Sequence, residues 1–144
     1  MGKVNFLRRF IPNLAEIVNN ITSMLRKDQE IKWDADAKDS FVAIKLSLTK
    51  ATVLDSPVFS QDFMTFSFAS DETIAAVLLQ KNVEGFEQPI SFFSRALRDA
   101  ELKYNLIETE AYALVKSLKS FRVYILHSKV IAYVPNIAVK DVLV

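Results

Sequence analysis

There is no cysteine among the 144 residues of this chain. That excludes a disulfide scaffold and a thiolate zinc site, and it permits an intracellular setting. Only Gly2 and Gly85 are glycines, so a glycine-rich phosphate loop or a dinucleotide fingerprint has no residues to be built from. His127 is the single histidine. A multi-histidine metal site is therefore impossible, and carboxylates remain as the only hard-metal ligands. Long hydrophobic runs are missing too. The longest, Ile74 to Leu79, falls far short of the ~20 residues that span a bilayer. The opening MGKVNFLRRF is read as lacking a signal-peptide apolar region. Neither sign of charge dominates, with 18 Lys and Arg against 17 Asp and Glu and a net charge of +1. Global charge selects no partner, so a basic surface has to come from local placement.

What is present reads as globular. Hydrophobic residues make up 51% and charged residues 24%, a balance that folds rather than stays disordered. The length suits about one domain. A chain of this size buries ~68–70% of its unfolded surface.

The first third is helical by pattern. Residues 3–11, KVNFLRRFI, read as a short helix that Pro12 ends or kinks. Asn13 is expected to cap a second helix reaching about Lys27, with Leu14, Ile17, Val18, Ile21, Met24 and Leu25 at helical spacing. Residues 28–32 form a polar break. Trp33 is expected to be a core anchor rather than a base-stacking platform. Asp34 is the expected N-cap of a third helix carrying Phe41, Ile44, Lys45 and Leu48. Residues 51–60 look extended, and Pro57 argues against a central strand there.

The character then changes. Phe63 to Phe68, Ile74 to Gln80 and Pro89 to Ser94 are strand-like. Gly85 marks the turn between the second and third. Short strands joined by tight turns imply an antiparallel meander. Asn105 and Glu108 are spaced as a capping box. A long helix to about Leu126 follows, with Leu106, Ile107, Ala111, Leu114, Val115, Leu118, Phe121 and Ile125 on its apolar face. Lys129 to Val134 makes a fourth strand, expected parallel to the first. A short apolar segment near Val144 is a candidate final helix. The fold class expected is α+β, with helices followed by strand-strand-strand-helix-strand, the opening order of a ribonuclease H-like fold.

Five segments then carry a family resemblance, in order, over nearly the whole chain. FLRRFIPNLAEI resembles the FYRRFIPNFSKI-type segment at the end of the reverse transcriptase in gypsy-type LTR retrotransposon polyproteins. IKWDADAKDSFVAIKLSLTKATVLDSPVFSQDF is similar to that family's FxW…AFxxLKxxLTxAPVLxxPDFxxPF. SFASDETIAAVLLQ resembles TDASDxGIGAVLxQ, and QPISFFSRAL resembles HPIAYxSRxL. AELKYNLIETEAYALVKSLKSFRVYIL is similar to AExNYxxTEKExLAVVxALxxFRxYLxG. The resemblance implies two parts: residues 1–55 as a helical thumb/connection tail, and residues 56–144 as a truncated ribonuclease H-like domain.

The same resemblance exposes departures at the chemistry. Ribonuclease H cleaves RNA in a hybrid with two cations about 3.5–4 Å apart, held by a cluster of carboxylates. The family's first aspartate, in TDAS, falls on Phe68. Its glutamate in the long helix falls on Glu110, which is retained. Its third ligand, the aspartate of an RTDH-like segment, falls on Pro135, and the fourth would lie beyond residue 144. Phenylalanine and proline bind no cation, and one carboxylate cannot anchor two magnesium ions. Asp71 sits in a turn, out of reach, and Glu108 is occupied as a capping residue. The chain is thus expected to be inactive, with no catalytic residue, no metal and no cofactor. Phe68 is expected to fill the former metal cleft. The pattern resembles the degenerate ribonuclease H of plant elements that carry a second such domain, where the older one serves as a connection module.

A silent nuclease fold can still bind. Arg95, Lys103, Lys116, Lys119 and Arg122 are candidate phosphate contacts, and Lys116, Lys119 and Arg122 recur every three residues on the long helix. Arg8, Arg9, Arg26 and Lys27 are further candidates. Such cations would give salt-sensitive affinity for an RNA–DNA hybrid with little sequence preference. The plain alternative is a solvated helix face. Tyr104 and Tyr133 are candidates for approach to a duplex, with partial burial as the alternative. His127 is expected to take a helix C-terminal role where the family usually has glycine. A different class stays open. The chain, read as starting without a polymerase palm and ending before the family's fifth strand, would be a host protein of retrotransposon origin. It would pair with a protein partner, or with itself, through a free sheet edge. An active nuclease is the third reading.

Overall fold

The computed structural model describes residues 2–25, 30, 32–51 and 53–143. Among these described residues six helices and four strands follow, helices first and then strand-strand-strand-helix-strand as expected. They are α1 (Gly2–Leu7), α2 (Leu14–Ile17), α3 (Asn19–Ser23), α4 (Ala35–Thr49), β1 (Phe63–Ala69), β2 (Thr73–Lys81), β3 (Glu87–Ala96), α5 (Leu106–Ile125), β4 (Val130–Tyr133) and α6 (Ala138–Leu143). A 3-10 turn, Asp99–Lys103, precedes α5.

The sheet has the order β3-β2-β1-β4. β1 pairs antiparallel with β2 and β2 with β3, and β4 lies parallel to β1. This is the meander, long helix and parallel return expected of the α+β pattern. Local chemistry sets each turn. Between β1 and β2, the Ser70 N–H donates to the Thr73 carbonyl at 2.8 Å and the Ser70 Oγ accepts from the Thr73 N–H. Between β2 and β3, Asn82 Oδ1 accepts from the N–H groups of Glu84 and Phe86. Gly85 takes φ +87° there, a region closed to most side chains. A bulge falls where the pairing jumps from Leu78–Ser91 to Leu79–Pro89, since proline cannot donate to a ladder.

Strand alternation gives the sheet two faces. One carries Phe63, Ala76 and Leu78 against Phe121, Tyr124 and Ile125 of α5, and Ile74 against Ala113 and Tyr112. Phe93 meets Phe121 edge to face at 6.4 Å between ring centroids. The other face, over β2 and β3, takes α2, whose Leu14 joins Ile11, Val18 and Ile44 in a second core. The Ala15 N–H donates to Ser94 Oγ at 3.0 Å and ties that helix to β3. The connector after α4 is pinned by the buried Gln80 amide, which accepts from the Val58 N–H and donates to the Val58 carbonyl.

The capping box at α5 forms as spaced. Asn105 Oδ1 accepts from the Glu108 N–H and Glu108 Oε2 from the Asn105 N–H. Asp34 caps α4 through the Ala37 N–H at 2.9 Å. The N-terminal helices differ from expectation. α1 stops at Leu7, and Arg8 to Phe10 form turns instead of helix. The second helix is broken at Val18 into α2 and α3. Its run Val18-Asn19-Asn20-Ile21-Thr22-Ser23 is made of poor helix formers. Asn13 precedes α2 in a left-handed conformation, and its side chain contacts Glu16 rather than capping. Lys27, the expected end of that helix, lies outside the described residues. Trp33 is exposed, edge-on to Phe41, so the core-anchor expectation fails. α4 buries only Ala37, Ser40 and Ile44, and Trp33 precedes it on the outside. His127 follows α5 with φ +69°, the conformation a helix-ending glycine would take.

Candidate functional site

The end of β1 and the first turns of α5 meet where the family resemblance places metal ligands. The strand pleat decides what each side chain can do there. Ser67 pairs with Ala76 and Ala69 with Ile74, on the α5 face, while Phe68 pairs with Ala75 on the other. Phe68 is 55% exposed. It does not fill a cleft, and that expectation is corrected: the pleat turns its ring out from the core. The residue that β1 presents toward α5 at this level is Ser67, which sequence reading passed over.

Glu110 lies within the first two turns of α5 and is 7% exposed. Its Oε2 has no hydrogen-bond partner, and neither has the buried Ser67 Oγ. Pro135 stands exposed in the bend between β4 and α6. Beside it, Asn136 Oδ1 accepts from the Ala138 N–H at 3.0 Å. Asp71 is exposed in the β1–β2 turn. Glu108 is held in the capping box. Among the described residues no three of His, Cys, Asp or Glu come together as metal ligands. The donors at this level are one carboxylate and one hydroxyl, which do not fit a pair of divalent cations.

The basic candidates separate into two groups. Lys119 and Arg122 are exposed on α5, and Lys116 lies over the Tyr112 ring at 5.1 Å. Lys103 is exposed at the end of the 3-10 turn. Arg95 is committed elsewhere. It pairs with Glu101 and donates to Tyr112 Oη at 2.8 Å, and Tyr112 in turn donates to Glu101. The Arg95 hydrogen bond holds the Glu101 carboxyl down to about 2, aided by Tyr112 and the Arg98 N–H. Burial first, and then Glu101, push the Tyr112 phenol up. Nothing in the spacing of Arg95, Glu101 and Tyr112 announces this triad, because three separate elements bring it together.

Arg8 and Arg9 sit at the outer edge of β3. Arg8 donates to the Ser94 carbonyl at 2.8 Å, and Arg9 to Tyr124 Oη at 2.7 Å. The Phe92 N–H donates to the Arg9 carbonyl, so this turn covers part of the β3 edge. Arg26 and Lys27 lie outside the described residues. Tyr133 is partly exposed and stacks on Phe66 at 4.6 Å and 7°. Tyr104 packs edge-on to Tyr112.

The family described as "RNase H-like domain found in reverse transcriptase" matches residues 33–132. The Tf2-3 and Tf2-4 transposon polyproteins of Schizosaccharomyces pombe are each 33% identical over 125 residues, 87% of this chain and 9% of theirs. The chain therefore spans a small part of the curated relatives it matches. The foamy viral protease-reverse transcriptase dRH in complex with dsDNA superposes with a TM-score of 0.81 at 24% identity, over 99% of this chain and 25% of that one. The same viral protein with an RNA/DNA hybrid gives 0.80 at 24% identity, over 98% of this chain and 19% of that one. At that identity the likeness is one of fold.

Proposed function

We propose a function from one premise: the chain belongs to the family of RNase H-like domains found in reverse transcriptase. On that premise the domain is a hydrolytically silent module that supports a polymerase and holds its RNA–DNA hybrid. The observation that carries the silence is the set of side chains at the ligand positions. Phe68 points outward, Pro135 closes a bend, and Glu110 is buried with an unpartnered Oε2. Once one carboxylate of such a cluster is lost, the others repel without a cation, so their replacement relieves strain.

Support for the binding half comes from exposed Lys103, Lys119 and Arg122, with Lys116 alongside. Structural neighbours of the same fold are complexes with dsDNA and with an RNA/DNA hybrid. The motif resemblance further favours a gypsy-type LTR element of the plant kind, working inside the cell.

The test is a pair of assays on the whole chain. In the first, a labelled RNA–DNA hybrid is incubated with Mg²⁺ or Mn²⁺. No cleavage is expected, and cleavage that vanishes in Glu110→Ala would reject the silent reading. In the second, anisotropy follows hybrid and duplex DNA across a salt series. Micromolar binding that weakens with salt and favours the hybrid supports the module. No binding at low salt rejects it.

One observation favours a second reading. The β1–β4 half of the sheet carries exposed Phe68, Ile131 and Tyr133, and β4 ends the strand order. A protein strand or a second copy added at β4 would cover this edge. Light scattering that finds only monomer across micromolar concentrations counts against self-pairing.

A further inference from the structure

The Arg8–Arg9 turn does more than close the β3 edge. It forms one wall of a groove of about 290 Å³. Asn5, Arg8 and Arg9 line one side, Ser91 the floor, and Ser120 and Tyr124 the other side. No aspartate or glutamate lines it. Its polar groups are two guanidiniums, an amide and three hydroxyls, a donor-rich set, and Phe6, Phe92, Phe93 and Val123 supply the apolar remainder of the lining.

Both arginines are held in place without a counter-charge. Arg8 is fixed by the Ser94 carbonyl and by Asn5 Oδ1 at 3.2 Å, and its buried Nε has no partner. Arg9 is oriented by the Tyr124 hydroxyl and lies over the Phe10 ring at 5.2 Å. That bond uses the oxygen of Tyr124 as acceptor and leaves its proton to donate. The ion pairs among the described residues are Lys32–Glu30, Arg95–Glu101 and Lys129–Asp62. Neither Arg8 nor Arg9 takes part in one. Burial, and then Arg98 and Arg95, push the Arg8 group down from its usual value. Glu101 is already committed to Arg95. A half-buried cation among cations is costly unless an anion joins it. Guanidinium forks match phosphate oxygens in shape and charge.

We propose that this groove, between the Arg8–Arg9 turn, the edge of β3 and the Ser120–Tyr124 side of α5, is a phosphate-binding site that receives a backbone phosphate of bound nucleic acid. The source of the phosphate rests on the function proposed above; the phosphate chemistry rests on the groove alone. Lys116 lies one turn before Ser120 on α5 and extends the positive path along the same ridge.

The experiment uses the whole chain and two probes, inorganic pyrophosphate by calorimetry and a labelled RNA–DNA hybrid by anisotropy. Arg9→Ala removes a groove cation. Ser120→Asp adds a negative charge at an exposed wall position. Lys38→Ala and Lys140→Ala serve as comparison variants at exposed positions that line no part of the groove. Circular dichroism melts confirm that each variant folds. Arg9→Ala and Ser120→Asp are expected to weaken pyrophosphate at least about fivefold and to lower the hybrid's salt slope by about one. The comparison variants should leave pyrophosphate unchanged. Pyrophosphate dependence with unchanged hybrid affinity keeps the phosphate site and assigns it to a free phosphate compound. Pyrophosphate dependence without hybrid binding by any form also keeps the site, while the hybrid-binding function fails. Hybrid binding that ignores both groove variants, with no pyrophosphate binding, overturns the groove and leaves the hybrid-binding function intact.

Discussion

The two faces of the sheet are opposites in construction. Toward α5, Phe63 and Leu78 are fully buried with Phe121, and Ile74 is fully buried with Ala113. On the other face, α2 covers β2 and β3, yet Phe68 and Tyr133 stand partly bare on β1 and β4. Both faces are apolar, so hydrophobicity alone does not separate them. What differs is whether an element of this chain packs there. The closed face is where stability is stored, and the open face is available for function.

Substitutions can break or sharpen that contrast. The largest effect is expected on the closed face. Phe121→Ala should cost about 3–5 kcal/mol, read by denaturant melts, because it empties a fully packed site. The Arg95–Glu101–Tyr112 triad on the same side should matter less. Glu101→Gln should cost about 1 kcal/mol near neutral pH, since solvent screens a partly exposed pair. Its pH signature has a fixed sign. The folded carboxyl lies at about 2, below its usual 4.5, so its contribution is whole above the usual value. It is lost as pH falls from there toward about 2. Melts across that window should steepen in wild type and flatten in the variant.

Glu110→Gln, still on the closed face, should go the other way. A carboxylate oxygen buried without a partner costs more than an amide, so stability should rise by about 1 kcal/mol. A loss of stability would show that Glu110 has a partner in solution. His127→Gly should also stabilise, by about 0.5–1 kcal/mol, because the residue holds a left-handed φ that costs a β-carbon. The smallest effect belongs to the open face. Phe68→Asp should change stability by less than about 0.5 kcal/mol, as expected at an exposed position. It should restore no cleavage of a hybrid, because Pro135 still stands at a second ligand position. If Phe68→Asp unfolds the chain, the open face is not open.

Much of this was legible in residues alone. The two-residue alternation of β1 and β2, the turn at Gly85 and the Asn105–Glu108 capping box are local signals, set by backbone geometry within a few residues. They place the meander and α5 without tertiary help. The first helices were less legible. Val18 to Ser23 kept apolar spacing, but its residues favour helix weakly, and α2 packs on β3 while α3 packs on α4. Trp33 misled for a related reason: its type suggests burial, but only the docking of α4 determines which side turns inward. Among the site residues, the spacing of Lys116, Lys119 and Arg122 was plain. Arg95 gave no sign that Glu101 and Tyr112 would engage it.

The sequence by itself determined the order of elements and the identity of the side chains at the ligand positions, since Phe68 and Pro135 lack cation-binding oxygens in any fold. Tertiary structure alone decided where those side chains went. The pleat of β1 sent Phe68 outward and Ser67 inward, and the parallel return of β4 set Tyr133 on Phe66. The Arg8–Arg9 turn came to rest 115 residues from Tyr124 along the chain. Short-range order follows from propensity and capping within a few residues. Charge pairing and groove formation depend on which distant segments share a surface, and packing of the whole chain sets that.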